Sequence, residues 1–493
     1  MSNGQMTDWL WETDALIEAL GGRPIGTMPE GVTGLSIDTR SLQPGEAYFA
    51  IKGDRLDGHA FLTAAAAAGA GVMVVAKSKL PALGRVQGAL IVVEDVLESL
   101  VRLAAASRAR SRARIIAVTG SVGKTTSKDA LRHALGASGQ VHASAASFNN
   151  HWGDPLSLAR MPQETRFGVF EIGKNHPGEI RPLVKLVRPH VAIVTLIAPA
   201  HLGFFKNLEE IAVAKGEIFE GVEPGGTAIV NADDPHGPAL AEMARAAGVT
   251  DIRTFGEAAA ANYRLAAYGP TAEGARLRAV IDGETVDIAL AAAGRHIADN
   301  LLAVLGASKL AGADLTVTAA ALGSWRTGKG RGERHVLAMP DGGSFTLIDE
   351  SYNANPVSMR AAIDVLAATP PAGEGRRVAI LGDMLELGEA SPALHAALAD
   401  ALISAGTGKV YLLGEQMKAL DDALDGTLPC EWHETRDELR ASLVKDVRAG
   451  DVVMTKASNG IGLSKLVETL IATFTPAPEA PDRAAGALPH QES

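Results

Sequence analysis

The plainest chemistry in this 493-residue chain lies in a lysine that follows a glycine turn and precedes two hydroxyls. Residues 115–126 read IIAVTGSVGKTT: an apolar run, a turn carrying Gly120 and Gly123, then Lys124, Thr125 and Thr126. The residues that follow have helical spacing, with Ala130, Leu131, Ala134 and Leu135 on one face. Glycines let the backbone from Thr119 through Gly120, Ser121, Val122 and Gly123 turn its amides toward an anion, and the helix start adds partial positive charge. Lys124 can reach terminal phosphates, and the Thr125 hydroxyl can ligate Mg2+, with Thr126 beside it. The strict spacing GxxxxGK[ST] is not met, because Val118 stands where its first glycine would be. Strand, turn and helix in succession still predict a nucleoside triphosphate site; they do not say what the phosphate is used for.

The elements around this turn must hold it. From about 110 to 330, apolar runs at 167–173, 190–197 and 226–233 alternate with helical patterns, which predicts a largely parallel sheet wrapped by helices. Glu171 and His201 each sit just after such a run, the strand end where α/β sheets place their ligands. Read alone, Glu171 could equally cap a helix and His201 lie in a loop. Lys215, fourteen residues after His201, reads alone as a solvated helix lysine near Glu217.

The expected fold class is α/β with three domains: a small α/β N-terminal module (1–108), a central P-loop domain with a parallel sheet (109–330), and a Rossmann-like C-terminal α/β domain (331–475). The N-terminal module rests on short β-rich runs such as 45–54 and 90–95, and the basic, helix-like stretch 102–114 reads as a connector to the central domain. Strands are expected at 345–348, 377–381, 409–413 and 451–455, and a disordered tail at 476–493.

Composition excludes several classes. The formal net charge of −11 disfavours nucleic acid and anionic membranes as partners, and 47% hydrophobic residues argue against disorder throughout. One cysteine, Cys430, allows no internal disulfide. Acidic Asp8, Glu12 and Asp14 do not fit an export signal, so a cytoplasmic protein without membrane insertion is expected.

TGSVGKTT closely resembles the variant phosphate loop of the Mur ligase superfamily, ATP-dependent amide-bond-forming enzymes of cell-wall synthesis. Blocks at 147–158 (SFNNHWGDPLSL), 171–180, 200–219, 348–362 (IDESYNANPVSMRAA) and 381–389 (LGDMLELGE) resemble the branch that adds D-alanyl-D-alanine to UDP-N-acetylmuramoyl-tripeptide. The resemblance implies those two substrates, a monomer, ATP, and an acyl phosphate formed on the acceptor's terminal carboxylate. It makes Lys124, Glu171, His201 and Lys215 catalytic. Thr125, Glu171, His201 and Lys215 become magnesium ligands, with Lys215 carbamylated.

The same resemblance puts Asn300, in GRHIADNLLAV, on the adenine, with Ile297 where relatives commonly carry asparagine. It adds Arg331, Asp349 and Tyr352 to the ATP site, completed on domain closure, and assigns Thr39, Arg40, Lys52, Asn149 and Asn150 to the UDP-substrate. Relatives usually carry an acidic residue two positions after the histidine, where this chain has Gly203. Two other readings stay open: a related ligase adding a single amino acid, and a P-loop ATPase switch with no ligase activity.

Overall fold

The computed structural model describes residues 9–474 except 54, 85–86, 145–151, 174–175, 200–201 and 272–273. Asn149, Asn150, His201 and the expected tail therefore lie outside the described residues. The chain forms two compact units, Met1–Trp325 and Arg326–Ser493.

The first unit holds two larger sheets. One has five strands in the order Arg23–Ile25, Leu90–Val93, Val72–Ala76, Ala47–Phe49, Leu35–Ser36, parallel except for the first pair. The other has nine. From one edge it runs Val141–Ala143, Phe167–Glu171, Arg114–Thr119, Val191–Val194, Thr227–Asn231, Asp251–Gly256 and Tyr263–Thr271, all parallel. Gly274–Ile281 and Glu284–Leu290 then extend it antiparallel. Their hairpin turns at Asp282 (φ 48°) and Gly283 (φ 86°), the left-handed pair that a two-residue turn requires.

The basic stretch 102–114 begins inside a longer helix. That helix, Val96–Arg110, is capped by Asp95, whose carboxylate accepts from the Glu98 amide at 2.8 Å. Its Leu100, Leu103 and Ala104 share one apolar cluster with Phe49, Val74 and Ile91 of the small sheet and Ile115, Ala117 and Val194 of the large one. Two of its arginines end on backbone carbonyls: the buried Arg108 donates to those of Val187 and Arg188, both at 2.8 Å, and the exposed Arg102 to that of Leu20 at 2.7 Å. The helix-like character read in the sequence holds for 102–110, and the apolar spacing beneath the charges makes the helix part of the core.

The second unit is a six-stranded sheet in the order Glu333–Ala338, Ser344–Asp349, Val452–Lys456, Arg377–Gly382, Lys409–Leu413, Cys430–His433. Only the first strand is antiparallel to its neighbour. Consecutive residues of its inner strands feed opposite cores, Ala379 and Leu381 one, Val378 and Ile380 the other. Burial on both faces explains why these strands read as unbroken apolar runs. Among the described residues, no helix is long and apolar enough to cross a membrane.

Candidate active site

Strand Arg114–Thr119 sits where the order of the nine-stranded sheet reverses, between Phe167–Glu171 and Val191–Val194. In open α/β sheets the crevice outside such a switch point takes the ligand. The turn that leaves this strand is stitched to the adjoining one. The Thr195 amide donates to Thr119 O at 2.9 Å, its hydroxyl to Val122 O at 2.5 Å, and the Ser121 amide to Leu196 O at 2.7 Å.

Gly120 has φ 143°, and a Cβ there would lie 2.0 Å from the Thr195 hydroxyl. Gly123, at φ 88°, forms the N-cap of helix Lys124–Gly136. The glycines therefore set both the backbone path and its clearance. Lys124 folds over the turn, its Nζ donating to Gly120 O at 2.7 Å and Ser121 O at 3.3 Å. Gly120→Ala is expected to cost about 1–3 kcal/mol through steric overlap and backbone strain; thermal melting checks this, and an unchanged melting temperature would contradict the packing described.

Glu171 ends its strand opposite Val118, two residues before Gly120, and is 7% exposed. Its amide donates to Ser144 Oγ at 3.2 Å, while Lys128 Nζ donates to Ser144 O at 3.2 Å. Lys128, 2% exposed, was not singled out in the sequence. Its only signal is a lysine one turn past Lys124, among the buried positions of that helix. Thr125 and Glu171 offer hard oxygen donors at the same end of the sheet, a set that fits Mg2+.

Lys215 sits in the last turn of helix Leu208–Gly216 and is 3% exposed, so the solvated-lysine reading does not hold. The adjoining Gly216 explains the tight seat, since a Cβ there would meet Met243 Cε at 2.1 Å. Burial, reinforced by the charge of Lys124 and opposed by Glu179 and Glu217, brings the Lys215 pKa down to about 7. Glu217 itself is engaged elsewhere, accepting from the amides of Gly178 at 2.8 Å and Arg181 at 3.1 Å.

Asn300, on helix Arg295–Leu310, lies against the phosphate turn: a Cβ on Gly123 would come 2.7 Å from its Nδ2, which donates to His296 O at 2.8 Å. Ile297 is 2% exposed within the apolar cluster, which accounts for an aliphatic residue at that place.

In the N-terminal part, Thr39 is half-buried, while Arg40 and Lys52 are exposed. Arg40 pairs with Asp38 at 2.5 Å, and that hydrogen bond holds the Asp38 carboxyl below its ordinary range. Nearby, His59 Nδ1 meets Asp57 at 2.7 Å and its Nε2 accepts from the Ala76 amide at 3.0 Å. His59 thus ties Asp57 to strand Val72–Ala76.

In the second unit the Arg331 guanidinium stacks 3.9 Å over the Tyr352 ring, which is 36% exposed. Asp349, 1% exposed, is turned inward: it accepts from the Gly330 amide at 3.1 Å and from the Ser351 amide and hydroxyl at 3.0 and 2.5 Å. Asn355 caps helix Pro356–Ala368 with a reciprocal Ser358 bond, as the Asn-Pro pair predicts. Glu333, His335 and Asp349 bring three potential ligand atoms within 4.8 Å of one another. His335 Nε2 is buried and stands 3.8 Å from the Glu333 carboxylate, beyond hydrogen-bond reach.

Comparison with known proteins decides the family. Residues 31–108 match the Mur ligase family catalytic domain, 118–308 the Mur ligase middle domain, and 330–459 the Mur ligase glutamate ligase domain. The UDP-N-acetylmuramoyl-tripeptide--D-alanyl-D-alanine ligase of Rickettsia prowazekii is 32% identical over 459 residues, 93% of this chain and 99% of the relative. The chain belongs to the Mur ligase family. The Escherichia coli ligase of the same name is 36% identical over 393 residues, covering 79% of this chain and 83% of its own. Among solved structures, MurF from Acinetobacter baumannii superposes with a TM-score of 0.81 at 29% identity, covering 94% of this chain and 99% of that one. The three expected Mur ligase segments thus follow one another in order, the first two within one compact unit.

Proposed function

We infer that this chain is an ATP-dependent ligase that joins D-alanyl-D-alanine to UDP-N-acetylmuramoyl-tripeptide in peptidoglycan precursor synthesis. The observation that carries this reading is end-to-end similarity to ligases of that name, covering nearly the whole of both chains. The reaction has two steps. An oxygen of the tripeptide's terminal carboxylate attacks the γ-phosphorus of ATP, its bond to the bridging oxygen breaks, and ADP leaves with that electron pair. The dipeptide's neutral amine then attacks the acyl carbon, phosphate departs, and the amine's extra proton passes to solvent or a nearby base.

Both reactants of the first step are anions, so the site must hold like charges together. The amides of 120–123 and the start of helix Lys124–Gly136 would cradle the phosphates. Lys124 would exchange its bonds to Gly120 O and Ser121 O for the γ-phosphate. Thr125 and Glu171 would hold Mg2+, with His201 as a further ligand expected from the family. When bound, the ion offsets charge on the phosphate oxygens. Asn300, which the resemblance puts on the adenine, lies beside Gly123 of the phosphate turn. Arg331 and Tyr352 supply further nucleotide contacts; Asp349, with its oxygens engaged, orders the turn that bears them. Thr39, Arg40 and Lys52 serve the UDP-substrate, and the exposure of the last two suits that role.

Lys215 has the character that carbamylation requires. CO2 adds only to an unprotonated amine, and burial brings this one near neutrality at physiological pH. The product is an anion in place of a cation, available to orient a metal ion.

A coupled assay tests the reading. ADP release is expected with UDP-N-acetylmuramoyl-tripeptide plus D-alanyl-D-alanine, and not when D-alanine or meso-diaminopimelate replaces the dipeptide. ATP hydrolysis indifferent to both substrates would favour an ATPase switch instead.

A further inference from the structure

Strand Val452–Lys456 lies between Ser344–Asp349 and Arg377–Gly382, where the parallel strand order of the second unit reverses. Its last residue, Lys456, is 3% exposed. Nζ donates to Asn353 O at 2.9 Å and stands 3.5 Å from the Glu350 carboxylate, whose side chain is 11% exposed. Further bonds tie the same turn: the Glu350 amide donates to Thr455 O at 2.9 Å, and the Ser458 hydroxyl to Ala354 O at 3.4 Å. Lys456 therefore bonds within the turn whose Tyr352 stacks with Arg331 at 3.9 Å.

Burying an ammonium is costly, and a paired carboxylate offsets only part of that cost. Burial pushes the Lys456 amine down from its ordinary value while Glu350 pulls it up. An aliphatic residue would fill the space more cheaply, but it could not bond a backbone carbonyl inside a turn. The one carbonyl that Lys456 reaches belongs to Asn353, the residue after Tyr352.

We propose that Lys456 is a positioning residue for nucleotide binding: through Asn353 O and Glu350 it fixes the 350–354 turn so that Tyr352 and Arg331 meet ATP as a preset pair. This rests on the reading that Tyr352 and Arg331 touch the nucleotide. Lys456 touches no substrate; it acts through the turn.

A double-mutant cycle on the full chain tests the coupling. Tyr352→Ala is expected to raise the KM for ATP about tenfold. Lys456→Met should raise it about five- to tenfold, leaving the KM for the dipeptide within about twofold. Because both act on one contact, the combined variant should stay within about twofold of Tyr352→Ala alone. Should Lys456→Met fail to fold with Glu350 stranded, Lys456→Met/Glu350→Gln removes both charges and carries the same expectation. Effects that multiply to about a hundredfold in the combined variant would overturn the proposal. So would a Lys456 variant that raises both KM values alike, as a general loosening of the unit would. An unchanged KM for ATP in Tyr352→Ala would instead sink the nucleotide-contact reading beneath it, and the proposal with it.

Discussion

Lys124→Ala is expected to lower kcat by about three orders of magnitude or more, the scale on which a preorganised charge at a transition state is felt. In the folded chain Nζ bonds to Gly120 O and Ser121 O. Lys124 and Ser121 are half-buried, so water can replace the amine at Ser121 O when it is lost. Folding should therefore survive, with the melting temperature without nucleotide nearly unchanged. This is the reverse of Gly120→Ala, where a methyl would overlap Thr195 and the fold itself suffers. Steady-state ADP release beside melting curves separates the two. Substantial turnover in Lys124→Ala would show that the backbone and helix start alone steady the migrating phosphoryl group.

Lys215→Ala should cost about two to three orders of magnitude in kcat, with part of the loss recovered by added formate or acetate if a carbamate anion is what was removed. The pH dependence follows from burial. With an ordinary lysine pKa of about 10.4, about one amine in 2,500 is neutral at pH 7; with a value near 7, about half is. A proton on nitrogen blocks CO2 addition, so the competent fraction grows as pH rises through about 7. Enzyme depleted of CO2 should regain activity on bicarbonate addition faster at pH 8 than at pH 6, with the midpoint near 7 rather than above 10. Full activity in Lys215→Ala, or no response to CO2 depletion, would remove the carbamate from the mechanism.

What could be read in advance divides by physical range. The phosphate turn was legible because its glycines act locally, through φ and through space for backbone amides. The second unit's four inner strands were legible because both faces are buried, while its half-buried edges Glu333–Ala338 and Cys430–His433 were not; the Asn355–Pro356 helix start was legible because a cap involves near neighbours only. Other features depend on distant packing. The basic stretch 102–114 read as a helix-like connector, but not as core, because Arg102 and Arg108 end on carbonyls far along the chain. The hairpin Gly274–Leu290 was missed despite its Asp-Gly turn, since a half-exposed edge carries polar residues at alternate positions. For Lys215 the sequence offered family likeness alone, because its burial comes from a helix more than twenty residues onward that brings Met243 against Gly216. Lys128 and Lys456 were invisible for the same reason: a lysine on a buried face is recognised only once its carbonyl partner is in place.

The most direct test of the central claim, that a carboxylate is activated by taking the terminal phosphoryl group of ATP, is oxygen transfer. UDP-N-acetylmuramoyl-tripeptide labelled with 18O in its terminal carboxylate is turned over with unlabelled ATP and D-alanyl-D-alanine, and the released inorganic phosphate is weighed by mass spectrometry. One labelled oxygen in each phosphate is predicted. Unlabelled phosphate alongside ligated product, or release of AMP and pyrophosphate, would contradict it.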